Sequence, residues 1–463
     1  MTRTVRWIFF LVAFFLIASC TTVPPEVLYP AAPTLLPGVD ADMNTAGFWI
    51  GRHPDPDRAV LDAAGIGEFN RRVLAAGYIN NLAAYQPKSG SELKKEFDDT
   101  VAWIAGSKVF RRDGKKVDRA FLDPFVAEIN EAAIPAEITP SYSFLLHRTD
   151  MRVLPTADPL YDGPGDLFID NLQSSSLEAG TPLVILRSSQ DGSWLYAVSD
   201  LVSGWVPSGS VVFADKETFL ARYGNPATLM VTAGRADLYA DERLTKFLGY
   251  VRMGTRLVRA DPAVEVPLSG TVKVLQVSRD ESGKFCETAA WVAADSVSSG
   301  LLEYTPRTIL RQAFRLLNAP YGWGGSFGEQ DCSQFLDEIF STVGITLPRN
   351  SGKQRLVGLS LPGFTAETGE REKCQILADL ALPGATILRM PGHIMLYLGS
   401  IDGNPYAIHS TWAYRERRGF GDVVRLINRV TVSNLELGDG SVRGSHLRRL
   451  TTASVITLPD TAP

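Results

Sequence analysis

The chain has 463 residues, of which 45% are hydrophobic and 21% charged, an ordinary globular composition that excludes a disordered, collagen-like or coiled-coil chain. A formal net charge of −5 argues against a broad basic surface and therefore against a nucleic acid partner. Four cysteines are too few for a disulfide scaffold at this length, which itself points to about three or four domains.

Arg3 and Arg6 precede an unbroken apolar run over residues 7–18. The run is shorter than the ~20 residues that cross a hydrocarbon core, so residues 1–19 read as a secretory signal. It ends in Leu16-Ile17-Ala18-Ser19-Cys20, which resembles the lipobox of bacterial lipoproteins. That resemblance implies acylation of Cys20 and a membrane held by a lipid anchor. With Thr21 in place of Asp, it implies, in a Gram-negative host, the periplasmic face of the outer membrane. The Thr/Pro-rich stretch over 20–40 reads as an extended tether.

Over 58–77, 91–104 and 118–133 apolar residues recur at three- and four-residue spacing, predicting a helical domain over 41–140. Beyond Pro140 the pattern shortens to runs such as 181–186, 194–198 and 204–206, parted by turn signals such as Gln190-Asp191-Gly192. A similar stretch follows, with strands expected at 257–259, 271–278 and 290–293. Gly204-Trp205-Val206 and Ala290-Trp291-Val292 form a weak internal repeat. The two stretches, 141–215 and 226–303, resemble bacterial SH3-like domains, small β-barrels joined here by a short helix over 216–223. From the pattern alone, any small tryptophan-cored barrel fits equally.

The last region, 305–455, carries the chemistry. After a helix over 307–317 comes the loop Tyr321-Gly322-Trp323-Gly324-Gly325, then Asp331-Cys332-Ser333 opening an amphipathic helix with Phe335, Leu336, Ile339, Phe340 and Val343. Cys332 therefore lies in a first helical turn, where free amides and the helix dipole favour a thiolate, and Asp331 is placed to cap it. A thiol peptidase needs an imidazole partner. His393 begins one apolar strand and His409 lies in a second, with the turn at 401–404 between them, so a hairpin brings the two rings together. His53, His147 and His446 read as structural or solvated histidines.

In order and spacing, Tyr321–Gly325, Asp331-Cys332-Ser333, Pro348-Arg349-Asn350-Ser351 with Gln354, Gly392-His393-Ile394 and Ile408-His409-Ser410 resemble the NlpC family of papain-like cell-wall cysteine peptidases. The chain is similar to the subgroup with a helical N-terminal domain and two SH3-like domains. The resemblance implies a multidomain chain whose α+β papain-like C-terminal domain cleaves peptidoglycan stem peptides between γ-D-Glu and the diamino acid, usually meso-diaminopimelate, in fragments with a free N-terminal L-Ala. It makes Cys332 the nucleophile, His393 the base and His409 its orienting partner. Tyr321 matches a rim aromatic, and Asp331, Ser333 and Ser351 match substrate-binding positions. Asp331 can equally be a plain helix cap, and Trp323 a pocket wall or core; Ser351 and Gln354 stand between the same two roles. The acidic residue that the subgroup's first barrel lends to the amine pocket is not recognisable here. The sequence implies no cofactor or metal, leaves Cys286 and Cys374 as two thiols or a bridge, and does not define an oligomeric state. The rival readings are a non-catalytic wall-binding lipoprotein, a zinc site on Cys332, His393 and His409, and a thiol amidase or acyltransferase on the same fold.

Overall fold

The computed structural model describes residues 29–459 apart from Val264 and Leu268. The expected signal, Cys20 and the first part of the tether lie outside the described residues. Among the described residues, no helix is long and apolar enough to cross a membrane.

The two expected barrels are antiparallel seven-stranded sheets. The first is built from Ser141–Leu145, Thr149–Arg152, Gln173–Leu177, Pro182–Ser188, Trp194–Val198, Ser203–Pro207 and Val211–Ala214. The second uses Thr228–Val231, Arg235–Tyr239, Phe247–Arg252, Arg256–Arg259, Thr271–Arg279, Phe285–Ala293 and Val297–Ser298. In both sheets the strand order is third, second, sixth, fifth, fourth, first, seventh. The Trp-Val repeat marks equivalent positions: Trp205 and Trp291 both lie on the sixth strand, opposite Arg152 and Tyr239 of the second. Gly204 is required by close approach, because a Cβ there would come within 2.7 Å of both Arg152 O and Met151 Cγ.

The N-terminal helices do not form the separate domain expected over 41–140. Met43, Trp49, Ile50, Leu61, Phe69 and Val73 are buried in the core of the C-terminal domain. Leu93, Phe97, Val101 and Ile104, from the helix Gly90–Gly106, share a core with Phe144, Leu154 and Trp205 of the first barrel. Short amphipathic helices cannot bury enough surface among themselves, so each completes a neighbouring core instead. The tether departs from expectation too. Ala32 N donates to Leu426 O and Leu426 N to Pro30 O, both at 2.8 Å, and Leu36 and Val39 are buried. From Pro30 onward the segment is therefore fastened to the C-terminal domain.

That domain holds a six-stranded antiparallel sheet in the order Leu359–Ser360, Thr452–Val455, Thr386–Met390, His393–Ile401, Asn404–Arg418, Gly421–Asn434. The helix Cys332–Ser341 packs against the strands His393–Ile401 and Asn404–Arg418. Phe335, Leu336, Ile339 and Phe340 are fully buried there, each stabilising by roughly 2 kcal/mol, and this fixes the helix's N-terminus over the sheet.

Candidate active site

Cys332 is the first residue of its helix and 7% exposed. Asp331 caps the helix by accepting from the amides of Ser333 and Gln334, leaving the Cys332 amide to face a developing oxyanion. The amide of Ile394, the residue after His393, also faces the thiol.

The turn at 402–403 closes the hairpin of His393–Ile401 and Asn404–Arg418 as the periodicity predicts, and the two histidines meet. His393 Nε2 lies 2.6 Å from His409 Nδ1, and His409 Nε2 lies 2.9 Å from Ser433 Oγ. If His393 Nδ1 is to accept a thiol proton, its Nε2–H must donate to His409 Nδ1, and His409 Nε2–H then donates to Ser433. The relay fixes both ring orientation and tautomer.

Burial governs the protonation states. It pushes the Cys332 thiol up to about 12, with the Asp331 charge adding to the rise and the Ile394 amide and Arg349 opposing it. Burial, with Arg449, pushes the His393 imidazole down to about 3. Desolvation thus opposes the expected helix-dipole lowering of the thiol and favours the uncharged forms of both groups.

His446 was expected to be structural or solvated; it is buried against the pair. Its ring centroid is 5.8 Å from that of His409 and 6.3 Å from that of His393, and its Nδ1 has no hydrogen-bond partner among the described residues. Sequence gave no signal for this, since His446 lies on a separate four-residue helix, His446–Arg449. Among the described residues, no group of three or more His, Cys, Asp or Glu side chains is arranged to hold a metal ion. Cys286 and Cys374 are both free thiols.

Asp331 is a clamp. Arg349 binds it bidentately, Nη2 to Oδ2 at 2.7 Å and Nη1 to Oδ1 at 3.1 Å. Ser333 Oγ and the Gly324 amide also donate to it. Both oxygens are occupied, so the expected contact of Asp331 with a substrate ammonium has no free lone pair to use. Ser333 Oγ is itself held by Arg349 Nη1 at 2.8 Å. Gln354 Nε2 donates to Ser333 O at 2.9 Å and so braces the cysteine helix. Ser351 opens the short helix Ser351–Gln354 and is half-buried. Arg349 was visible as part of the Pro-Arg-Asn-Ser block, but its partner was not.

The first barrel reaches this site. Arg349 Nε donates to Ser175 Oγ at 2.9 Å, Gln173 Nε2 to Gly324 O at 3.1 Å, and Ser176 Oγ to Gly325 O at 3.1 Å. Trp323 Nε1 donates to Asp170 O at 2.9 Å, which makes Trp323 a pin between domains. Gly324 has φ +58°, and a Cβ there would lie 2.7 Å from Gln173 Cγ. Asp150 accepts from Gln173 and Ser176 beside this loop. The second barrel grips the other side through Arg252, which pairs with Glu338 of the cysteine helix at 2.7 Å and donates to Gly328 O at 2.8 Å. Tyr321 is half-buried by the thiol, and burial pushes its phenol well above the usual range.

A cysteine at a helix N-terminus and a buried histidine pair on the facing sheet define a papain-like cysteine peptidase fold. Residues 318–419 match the NlpC/P60 family and residues 159–207 the SH3 domain (SH3b1 type); the C-terminal domain belongs to the NlpC/P60 family. The chain is 32% identical over 96 residues to the bifunctional muramidase/DL-endopeptidase CwlT of Bacillus subtilis, a match covering 20% of this chain and 26% of that protein. It thus spans about a quarter of that relative. A solved NlpC/P60 endopeptidase from Photobacterium damselae subsp. piscicida shares the fold with a TM-score of 0.73 at 18% identity, over 92% of this chain and 99% of that one.

Proposed function

We propose that the protein is a cysteine endopeptidase that hydrolyses the bond between γ-D-glutamate and the L-diamino acid, usually meso-diaminopimelate, in peptidoglycan stem peptides. The observation that carries this reading is the His393–His409–Ser433 relay, at 2.6 and 2.9 Å, beside Cys332 at its helix N-terminus in an NlpC/P60 domain. The DL-endopeptidase activity named for CwlT supports it.

In this mechanism, His393 Nδ1 takes the thiol proton as Cys332 Sγ attacks the γ-glutamyl carbonyl, so no resting ion pair is needed. The tetrahedral oxyanion faces the Cys332 amide and Tyr321. The imidazolium then gives its proton to the leaving amine, and the C–N bond breaks, leaving a thioester. Water, deprotonated by His393, attacks the thioester; the thiolate leaves and takes back the proton. The first barrel, locked onto residues 323–325, walls the cleft and limits substrate length. The enzyme is held at the periplasmic face of the outer membrane by acylated Cys20.

Digestion of a defined tripeptide muropeptide, with products identified by mass spectrometry, tests the bond. Free diamino acid together with a fragment ending in D-Glu is the expected pair. Release of intact tripeptide from the sugar would instead make the protein an amidase.

A further inference from the structure

The strands Asn404–Arg418 and Gly421–Asn434 outrun the strand His393–Ile401 beside them. Apart from the bridge of Ala31 to Leu426, their distal halves pair with each other, from Ala413↔Leu426 to Arg418↔Gly421. At the tip, Phe420 is 103% exposed, a full aromatic ring in water, and Val442, on the adjoining loop, is 77% exposed. That loop is tied to the hairpin by its Val442 amide, which donates to Asp422 at 3.0 Å. Arg417, Arg418 and Arg443 surround these two apolar side chains and are exposed. Of the acids nearby, Glu416 pairs with Arg425 at 2.7 Å, and Asp422, opposite Arg417 in the strand register, accepts from the Val442 amide.

Among the described residues, nothing covers this apolar tip ringed by exposed arginines. It has the chemistry of an interfacial anchor, in which the ring enters the headgroup boundary and the guanidiniums pair with phosphates. Its position agrees. The N-terminal segment joins the fold at this hairpin, where Ala31 bridges to Leu426. Leu426 is five residues from Gly421, ~17 Å along the strand. Nine peptide steps join Cys20 to Tyr29, a reach of at most ~30 Å. A chain acylated at Cys20 can therefore set the tip on the same bilayer.

We propose that the hairpin tip, Phe420 with Arg417, Arg418 and Arg443, docks on a bilayer surface carrying anionic headgroups, as a second contact independent of any lipid on Cys20. It orients the cleft relative to the membrane.

The test uses the chain shortened to residues 21–463, which keeps every described residue but lacks the apolar run and Cys20, so that failure of the lipidation reading leaves this result untouched. It is floated with vesicles of phosphatidylethanolamine and phosphatidylglycerol, or of phosphatidylcholine alone. Binding to the anionic vesicles at least fivefold above the neutral ones, weakened by salt, is expected. Phe420→Ser should lower the partition coefficient at least threefold, and Arg417→Ser with Arg418→Ser by about tenfold or more, given ~fivefold for each basic residue at an anionic surface. All variants should keep the parent melting temperature, since these side chains are exposed. Equal binding to both vesicles, or undiminished binding by the variants, overturns the proposal. So does a tip-dependent loss of binding to isolated sacculi with no vesicle binding, which would make the tip a wall contact.

Discussion

Arg349 and Asp331 form a two-bond ion pair behind Cys332, at 2.7 and 3.1 Å, with both side chains about 10% exposed. Burial raises the Asp331 carboxyl, but the charge and hydrogen bonds of Arg349 outweigh it and hold it below the usual carboxylate range. The pair joins the cap of the cysteine helix to Ser175 of the first barrel, so helix placement and domain docking share one guanidinium.

Arg349→Ala should therefore destabilise the chain by roughly 3–5 kcal/mol, because it leaves a buried carboxylate unpaired. Urea unfolding measures this directly, and a loss below about 1 kcal/mol would show that the clamp is dispensable. Adding Asp331→Asn to Arg349→Ala should recover part of the loss, since the unpaired charge is then gone.

His409→Ala should lower kcat about a hundredfold with little change in KM. The ring orients His393 and has no route to substrate except through it. Steady-state kinetics on a muropeptide checks the split; a change confined to KM would place His409 in binding instead.

Burial holds all three clustered imidazoles below their usual value, with His446 and His393 at about 3 and His409 well below 6.5, helped by its two imidazole neighbours. Between about pH 3 and 6.5 the unfolded chain binds protons at His393 and His446 that the native chain does not, so each of these sites costs stability as pH falls through that window. His446→Phe should remove about one proton from the uptake on unfolding, flattening the pH slope by ~1.4 kcal/mol per pH unit near pH 5. Identical slopes for parent and variant would mean that His446 is protonated in the native state.

The occupied Asp331 predicts tolerance at the substrate's amino end. Stem peptides with free and with blocked L-Ala amines should be cleaved with kcat/KM values within about fivefold of each other, since a lost charged hydrogen bond is worth roughly 1.5–3 kcal/mol only where the bond exists. A preference above a hundredfold for the free amine would require another carboxylate in the pocket, and Asp150 at the barrel edge would be the first to replace.

Gly324→Ala should loosen the first barrel. The positive φ and the 2.7 Å approach to Gln173 leave no room for a methyl group. A fall in melting temperature together with a raised KM is expected. An unchanged KM would mean that the barrel does not wall the cleft.

Local chemistry was readable from the sequence where one element fixes it. The apolar stripe after Cys332 places the thiol on a first turn, and the strand–turn–strand pattern between His393 and His409 places two imidazoles side by side. Trp205 and Trp291 showed only as a weak repeat, and the strand order that the two sheets share was not legible from it. What a single element cannot fix was not readable. His446 reaches the dyad across the fold, Arg349 pairs with Asp331 eighteen residues away, and Ser175 and Arg252 arrive from separate barrels. The helices over 41–140 carry helical periodicity, but periodicity does not say whose core an apolar face completes, so Trp49 and Phe97 went to different domains.

The most direct test of the account is muropeptide digestion by Cys332→Ala, with the melting temperature recorded alongside. The variant should fold and release no diamino acid from a tripeptide substrate that the parent chain cleaves. Release at the parent rate by the folded variant would contradict it.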